Sequence, residues 1–168
     1  VQVVNGSPDF NNASDWSSPI PLSSLPGSGD MQGLGNAIVG STLHQELWRN
    51  NTRWTRTVPV ADGVVQWGSA DSWVSGLTNF GTMPGSGTVQ VSNLYVLGGT
   101  LYHGFWRGDQ GFSRTIPISN GVPQWGSASD WSNPIPLSTL PGSGSLQSLN
   151  IYRTGNYLRQ GIWRNNWG

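Results

Sequence analysis

The chain has 168 residues, a formal net charge of zero, 24 glycines and no cysteine, and only 10% of its residues are charged. That length suffices for one domain with a real core, while the missing cysteines exclude disulfides, a thiol nucleophile and thiolate metal sites. The eight basic residues are all arginines scattered along the chain, so no footprint for a nucleic-acid backbone forms, and no stretch approaches the roughly 20 apolar residues that span a bilayer.

Helix formers are scarce: there is no lysine, and Glu46 is the only glutamate. Valine, isoleucine, threonine and aromatic residues fill the patterned stretches, which predicts strands. No N-terminal signal pattern is present, and the missing initiator methionine is expected of a processed or excised chain. Asn-x-Ser/Thr triplets at Asn5, Asn12 and Asn50, with the Trp, Asn, Ser and Gly richness, point to a secreted or extracellular setting.

Taken in chain order, the elements repeat. Val1 to Phe10, followed by Ser14-Asp15-Trp16, aligns without a gap on Ile116 to Trp125, followed by Ser129-Asp130-Trp131. From Trp16 the chain runs through Leu25-Pro-Gly-Ser-Gly29 to Leu43 and Trp48-Arg49. The same landmarks return from Trp73 through Met83-Pro-Gly-Ser-Gly87 to Leu101 and Trp106-Arg107. They return again from Trp131 through Leu140-Pro-Gly-Ser-Gly144 to Leu158 and Trp163-Arg164. Repeats at residues 1–57, 58–115 and 116–168 therefore account for the whole chain as a single repeat domain.

Within the second unit, Thr88 to Leu97 is a predicted strand, Gly98-Gly99 a tight turn and Thr100 to Trp106 a second strand. A turn at Gly108 to Gly111 leads to a third strand, Phe112 to Ile118. Asn120-Gly121 is the hairpin signal before a fourth, Val122 to Trp125. Pro59 and Pro117 in the third strand and Pro123 in the fourth fit positions away from a sheet centre, which makes the proline-free first strand innermost. The Gly/Pro/Ser segment from Gly126 to Gly144 then carries the chain elsewhere.

Four strands joined by short turns form an antiparallel meander, the organisation of a propeller blade. The expected fold is all-β: three four-stranded blades spanning Asp30 to Ala70, Thr88 to Ala128, and Ser145 to Gly168, the N-terminal strands to Ala13 completing the last. Three blades are too few for a ring, so two chains are expected to pair and give six. A β-trefoil is the alternative, since it also has three four-stranded repeats but closes as a monomer.

Catalytic candidates are His44, His103, Glu46 and seven aspartates, ungrouped by any known motif, so the expectation is a non-enzyme without metal or cofactor. What recurs is aromatic and planar. Trp16, Trp73 and Trp131 open each long loop, and Arg49, Arg107 and Arg164 follow the tryptophan that ends each second strand. Apolar sugar faces stack on aromatic rings, while sugar hydroxyls suit guanidinium and amide groups. Each of these residues equally suits structural packing.

The pattern Leu43-His-Gln-Glu-Leu-Trp48 with Trp54-Thr-Arg56, and Leu158-Arg-Gln-Gly-Ile-Trp163 with Trp167, resembles the blades of fucose-binding six-bladed propeller lectins of fungi and bacteria. The resemblance covers about a third of each repeat. It implies carbohydrate binding between neighbouring blades, with an acidic residue, an arginine and a stacked aromatic. Here Gln45, His103 and Gln160 stand where the acid belongs, and Gly35, Asn93 and Asn150 where the arginine belongs.

The functional expectation is a non-catalytic lectin with glycans as partners, its repeated sites drawing on Trp16, Trp73, Trp131, Arg49, Arg107, Arg164, Gln45, His103 and Gln160. Long phage tail fibres and spikes carry similar Gly-, Asn- and Trp-rich β-repeats. The alternative is therefore a structural or receptor-binding segment of a trimeric fibre on a virion surface. Each PGSG copy is expected to be a hinge between repeats, with the ligand at the aromatics around it.

Overall fold

The computed structural model describes residues 2–4, 7–9, 21–75, 83–154 and 157–165. The chain is all-β, built from curled antiparallel sheets that form half-barrels. Among the described residues, helical geometry is limited to 3-10 turns of three residues.

Near the N-terminus, β1 (Gln2–Val4) pairs with β2 (Ser7–Asp9). The first large sheet follows the order β3 (Met31–Val39), β4 (Thr42–Arg49), β5 (Thr52–Ala61) and β6 (Val64–Val65), with β7 (Val74–Ser75) also on β5. The second repeats this as β8 (Val89–Leu97), β9 (Thr100–Arg107), β10 (Gln110–Ser119) and β11 (Val122–Pro123), with β12 (Ile135–Pro136) on β10. The third is the pair β13 (Leu146–Thr154) and β14 (Tyr157–Arg164). Among the described residues, β1 and β2 pair only with each other and β14 only with β13. The expected completion of the last repeat by the N-terminal strands is not among these pairings.

Turn chemistry sets the strand boundaries. Asp62-Gly63 and Asn120-Gly121 both take positive φ at two successive residues. That is the condition of the two-residue turn whose twist matches a hairpin. Each first strand also carries a register shift at the same point, between Met31 and Gly33, Val89 and Val91, and Leu146 and Ser148. A glutamine, Gln32, Gln90 or Gln147, sits in each shift, so all three repeats bend alike.

The long connection does not leave the sheet after the short fourth strand. Backbone N–H groups of Gln124, Ser129, Ser132 and Leu137 donate at 2.8 Å to the carbonyls of Pro117, Thr115, Ser113 and Asp109. The segment predicted to carry the chain away instead runs the full length of the third strand as a discontinuous outer edge.

The sheets stack face to face in chain order, with β8 against both β3 and β13. Glycine permits the closest approach: a Cβ on Gly33 would stand 2.9 Å from the Ser92 backbone nitrogen. Ala37 and Val39 of the first sheet pack with Leu94, Leu101 and Ile116 of the second. Trp48 packs with Phe105 and Phe112 of the second sheet. One repeat later, Trp106 packs with Leu146 and Leu149 of the third. The core is thus a series of similar layers between sheets, each built by burying large side chains.

Candidate functional site

The alternation of β4 and β5 sends His44, Glu46 and Trp48, with Arg53, Thr55 and Thr57, towards the second sheet. Within that gap Glu46 is fully buried. Its carboxylate accepts from Trp48 Nε1 at 2.5 Å, Ser92 Oγ at 2.5 Å and Arg53 Nη2 at 2.5 Å, and His103 Nε2 lies 3.2 Å away. Burial by itself raises the carboxyl pKa. The charge of Arg53 and the contacts from His103 and Ser92 outweigh that and hold it well below the usual carboxylate range.

The His103 pKa is lowered as well, but here burial is the cause. Burial lowers its pKa more than Glu46 raises it, so the imidazole is neutral at pH 7 and donates through Nε2–H to an oxygen that only accepts. Arg114 lies close enough for Arg53 to act on it, and burial together with that repulsion lowers its pKa to about 10. A carboxylate engaged by four donors is held ionised and fixed in place. Such a group ties two sheets together and is a poor proton acceptor.

Outside this knot lies a cavity of about 250 Å3. His44, Thr55 and Thr57 form one side with Asp71 and Ser72 of the outer edge, Glu46 and Arg53 line its inner part, and Leu94 and Trp125 of the second sheet close it. Thr57 Oγ1 donates to Asp71 Oδ2, which orients that carboxylate. The equivalent gap between the second and third sheets holds a cavity of about 330 Å3. There Gly104 and Gly111 replace Glu46 and Arg53, and Tyr95, Tyr102, Trp106 and Phe112 dominate the lining.

The opposite face of the first sheet carries a side-chain ladder across three strands in register. Arg56 Nε donates to Gln45 Oε1 at 2.7 Å, and Gln45 Nε2 to Asn36 Oδ1 at 2.9 Å. The Arg56 guanidinium lies over Trp73 at 4.4 Å, and Arg114 lies over Trp131 at the same distance. The loop tryptophans Trp73 and Trp131 therefore each hold an arginine of the preceding repeat. Trp131 also meets Phe105 edge-on at 4.8 Å. Trp16 lies outside the described residues.

The arginines after the second strands have a different task. Arg49 is buried, and its guanidinium donates five hydrogen bonds to the carbonyls of Leu22, Leu25, Pro26 and Gly29. Arg164 makes the same five to Leu137, Leu140, Pro141 and Gly144. Among the described residues, which leave out the counterpart of Leu22, Arg107 makes one, from Nε to Gly87 at 2.7 Å. The PGSG loop is a carbonyl cradle for a planar donor fork. Its first glycine also lies against an aromatic ring, since a Cβ on Gly27 would stand 2.9 Å from Trp54 Nε1.

Of the remaining expected site residues, Gln45 is buried in the ladder, His103 belongs to the Glu46 knot, and Gln160 lines the second cavity. They lie on three successive sheets: Gln45 also lines the first cavity, and His103 and Gln160 line the second together. The residues that build the first gap, Glu46, Arg53, Thr57 and Asp71, were not among the expected set. Glu46 and Arg53 do not recur, being Gly104 and Gly111 one repeat on, so a search for repetition passes over them. Arg56 and Arg114 do recur, and that equivalence was the available signal. No family model, curated protein or solved structure matches the chain.

Proposed function

We propose that the chain is a non-catalytic carbohydrate-binding protein whose sheets are successive blades of a propeller and whose ligands sit in the gaps between them. The carrying observation is the polar cavity between the first and second sheets. Thr55, Thr57, Asp71, Ser72 and His44 offer hydroxyl, carboxylate and imidazole partners, while Trp125 offers an aromatic wall. Sugar recognition needs that combination of hydrogen-bonding groups and one apolar surface.

At about 250 Å3 the cavity is smaller than the roughly 300–1,000 Å3 of drug-sized sites, which suits a single sugar ring. With Arg49 and Arg164 fixed on loop carbonyls, recognition falls to the cavity residues. The face-to-face stacking of four-stranded meanders supports blades over a trefoil. The Gly104 and Gly111 replacements give the second gap a different, more aromatic lining, so the two gaps would prefer different sugars. Several weak sites on one molecule would gain avidity on a glycan-coated surface outside the cell.

A glycan array, followed by titration of the best hit against tryptophan fluorescence, tests this. Binding in the wild type and its loss by at least tenfold in Asp71→Ala, with an unchanged melting temperature, is the expected result. A blank array with no fluorescence response to common monosaccharides would overturn it.

A further inference from the structure

The two end sheets expose side chains that are covered everywhere inside the stack. Trp48 and Trp106 are 4% and 6% exposed because each packs against the following sheet, whereas Trp163, at the same repeat position, is 48% exposed. At the other end, Leu34 is 45% exposed, although its counterparts Ser92 and Leu149 lie under the preceding sheet at 1% and 8%. Trp67 is likewise exposed, while its counterpart Trp125 packs on Ala37, Val39 and the core of the second sheet.

The stack thus has two unlike ends. Each is half of an interface that the chain already forms twice. The face of the third sheet bearing Trp163 is the kind that receives a following sheet, and the face of the first sheet bearing Leu34 and Trp67 is the kind that receives a preceding one. One side-chain bond to the backbone also crosses the second gap. Asn93 Nδ2 donates to the Leu149 carbonyl of the next first strand. Asn150 is the equivalent of Asn93, stands exposed, and among the described residues reaches Ser148 Oγ of its own strand at 3.3 Å. The equivalent of Leu149 at the start of the stack is Leu34.

We infer that a second copy of this chain joins head to tail: the Trp163 face of one subunit packs on the Leu34 and Trp67 face of the other, and Asn150 donates to the backbone carbonyl of the partner subunit's Leu34. The occupant is a copy of the same chain because the internal layers show what each face accepts. Unlike faces give a heterologous contact, which closes when two such contacts complete a ring. Sugar plays no part in the contact, so the glycan reading and the assembly stand or fall separately.

Light scattering on the chain without any sugar is expected to give twice the 18.1 kDa chain mass. Leu34→Arg and Trp163→Arg, each with the wild-type circular dichroism spectrum and melting behaviour, are each expected to be monomeric. Mixed together, they are expected to recover a dimer, because one intact pair of faces remains between unlike variants. Asn150→Ala is expected to weaken dimerisation at least tenfold while leaving the fold unchanged. A monomeric wild type would overturn the proposal, as would a dimer that survives both arginine substitutions or variants that fail to rescue one another.

Discussion

At the scale of single residues, the energetics concentrate on one carboxylate. Glu46 is the only buried acid among the described residues, and removing its charge leaves Arg53 buried without its counter-ion. Glu46→Ala is therefore expected to lower unfolding free energy by about 3–5 kcal/mol in urea titration, the usual cost of breaking a buried pair from one side. Acid should have a graded effect. His103, and His44 by burial, have folded pKa values below the unfolded value of about 6.5. The unfolded chain therefore binds more protons, and stability falls as pH drops below that value. Glu46 adds a second loss below about pH 4.5, as the native state resists protonation down to its own depressed pKa. Melting temperature measured from pH 8 to pH 3 should decline in these two windows, and His103→Gln should flatten the upper one. Little of this was legible beforehand, because Glu46 and its partners come from different repeats and acquire meaning only once the sheets stack.

At the scale of elements, the arginine and the loop it holds form one unit. Five hydrogen bonds from a buried guanidinium to four carbonyls make Arg49 a determinant of the first PGSG loop, whereas Arg107 is half-buried and makes one such bond among the described residues. Arg49→Ala is expected to cost about 2–4 kcal/mol and Arg107→Ala less than about 1 kcal/mol, as measured by chemical denaturation. Arg49→Lys should recover little, since an ammonium group cannot serve several carbonyls in one plane. The three PGSG copies, the strand alternation and the Asn120-Gly121 turn were all readable in the sequence, and the second sheet follows them closely. The outer edge was not readable. Gly126 to Pro134 has neither alternation nor β-branched density, and its place on β10 is set by backbone bonds that any residue type except proline can donate.

At the scale of the whole molecule, repetition explains both the layers and the open ends. The 58-residue offset between the first two repeats, visible from Trp48 to Trp106, places equivalent side chains in equivalent gaps. Chemistry then diverges at positions such as Glu46 and Gly104, so one scaffold holds a charged layer and an aromatic one. Such layers stabilise mainly through contacts with their neighbours, which is why an end layer is the weakest and gains most from a further sheet.

The broken outer edge bears on how copies avoid one another. A long uninterrupted edge strand offers its unpaired backbone to any passing chain and invites fibrous growth. Here the outermost strands are pairs of residues, Val64–Val65 and Val74–Ser75 in one sheet and Val122–Pro123 and Ile135–Pro136 in the next, interrupted by 3-10 turns and prolines. Among the described residues, no outer run of the first two sheets is long enough to template another β-strand. Edge-to-edge pairing is discouraged along the rims of these two sheets, which counters amyloid-like growth there.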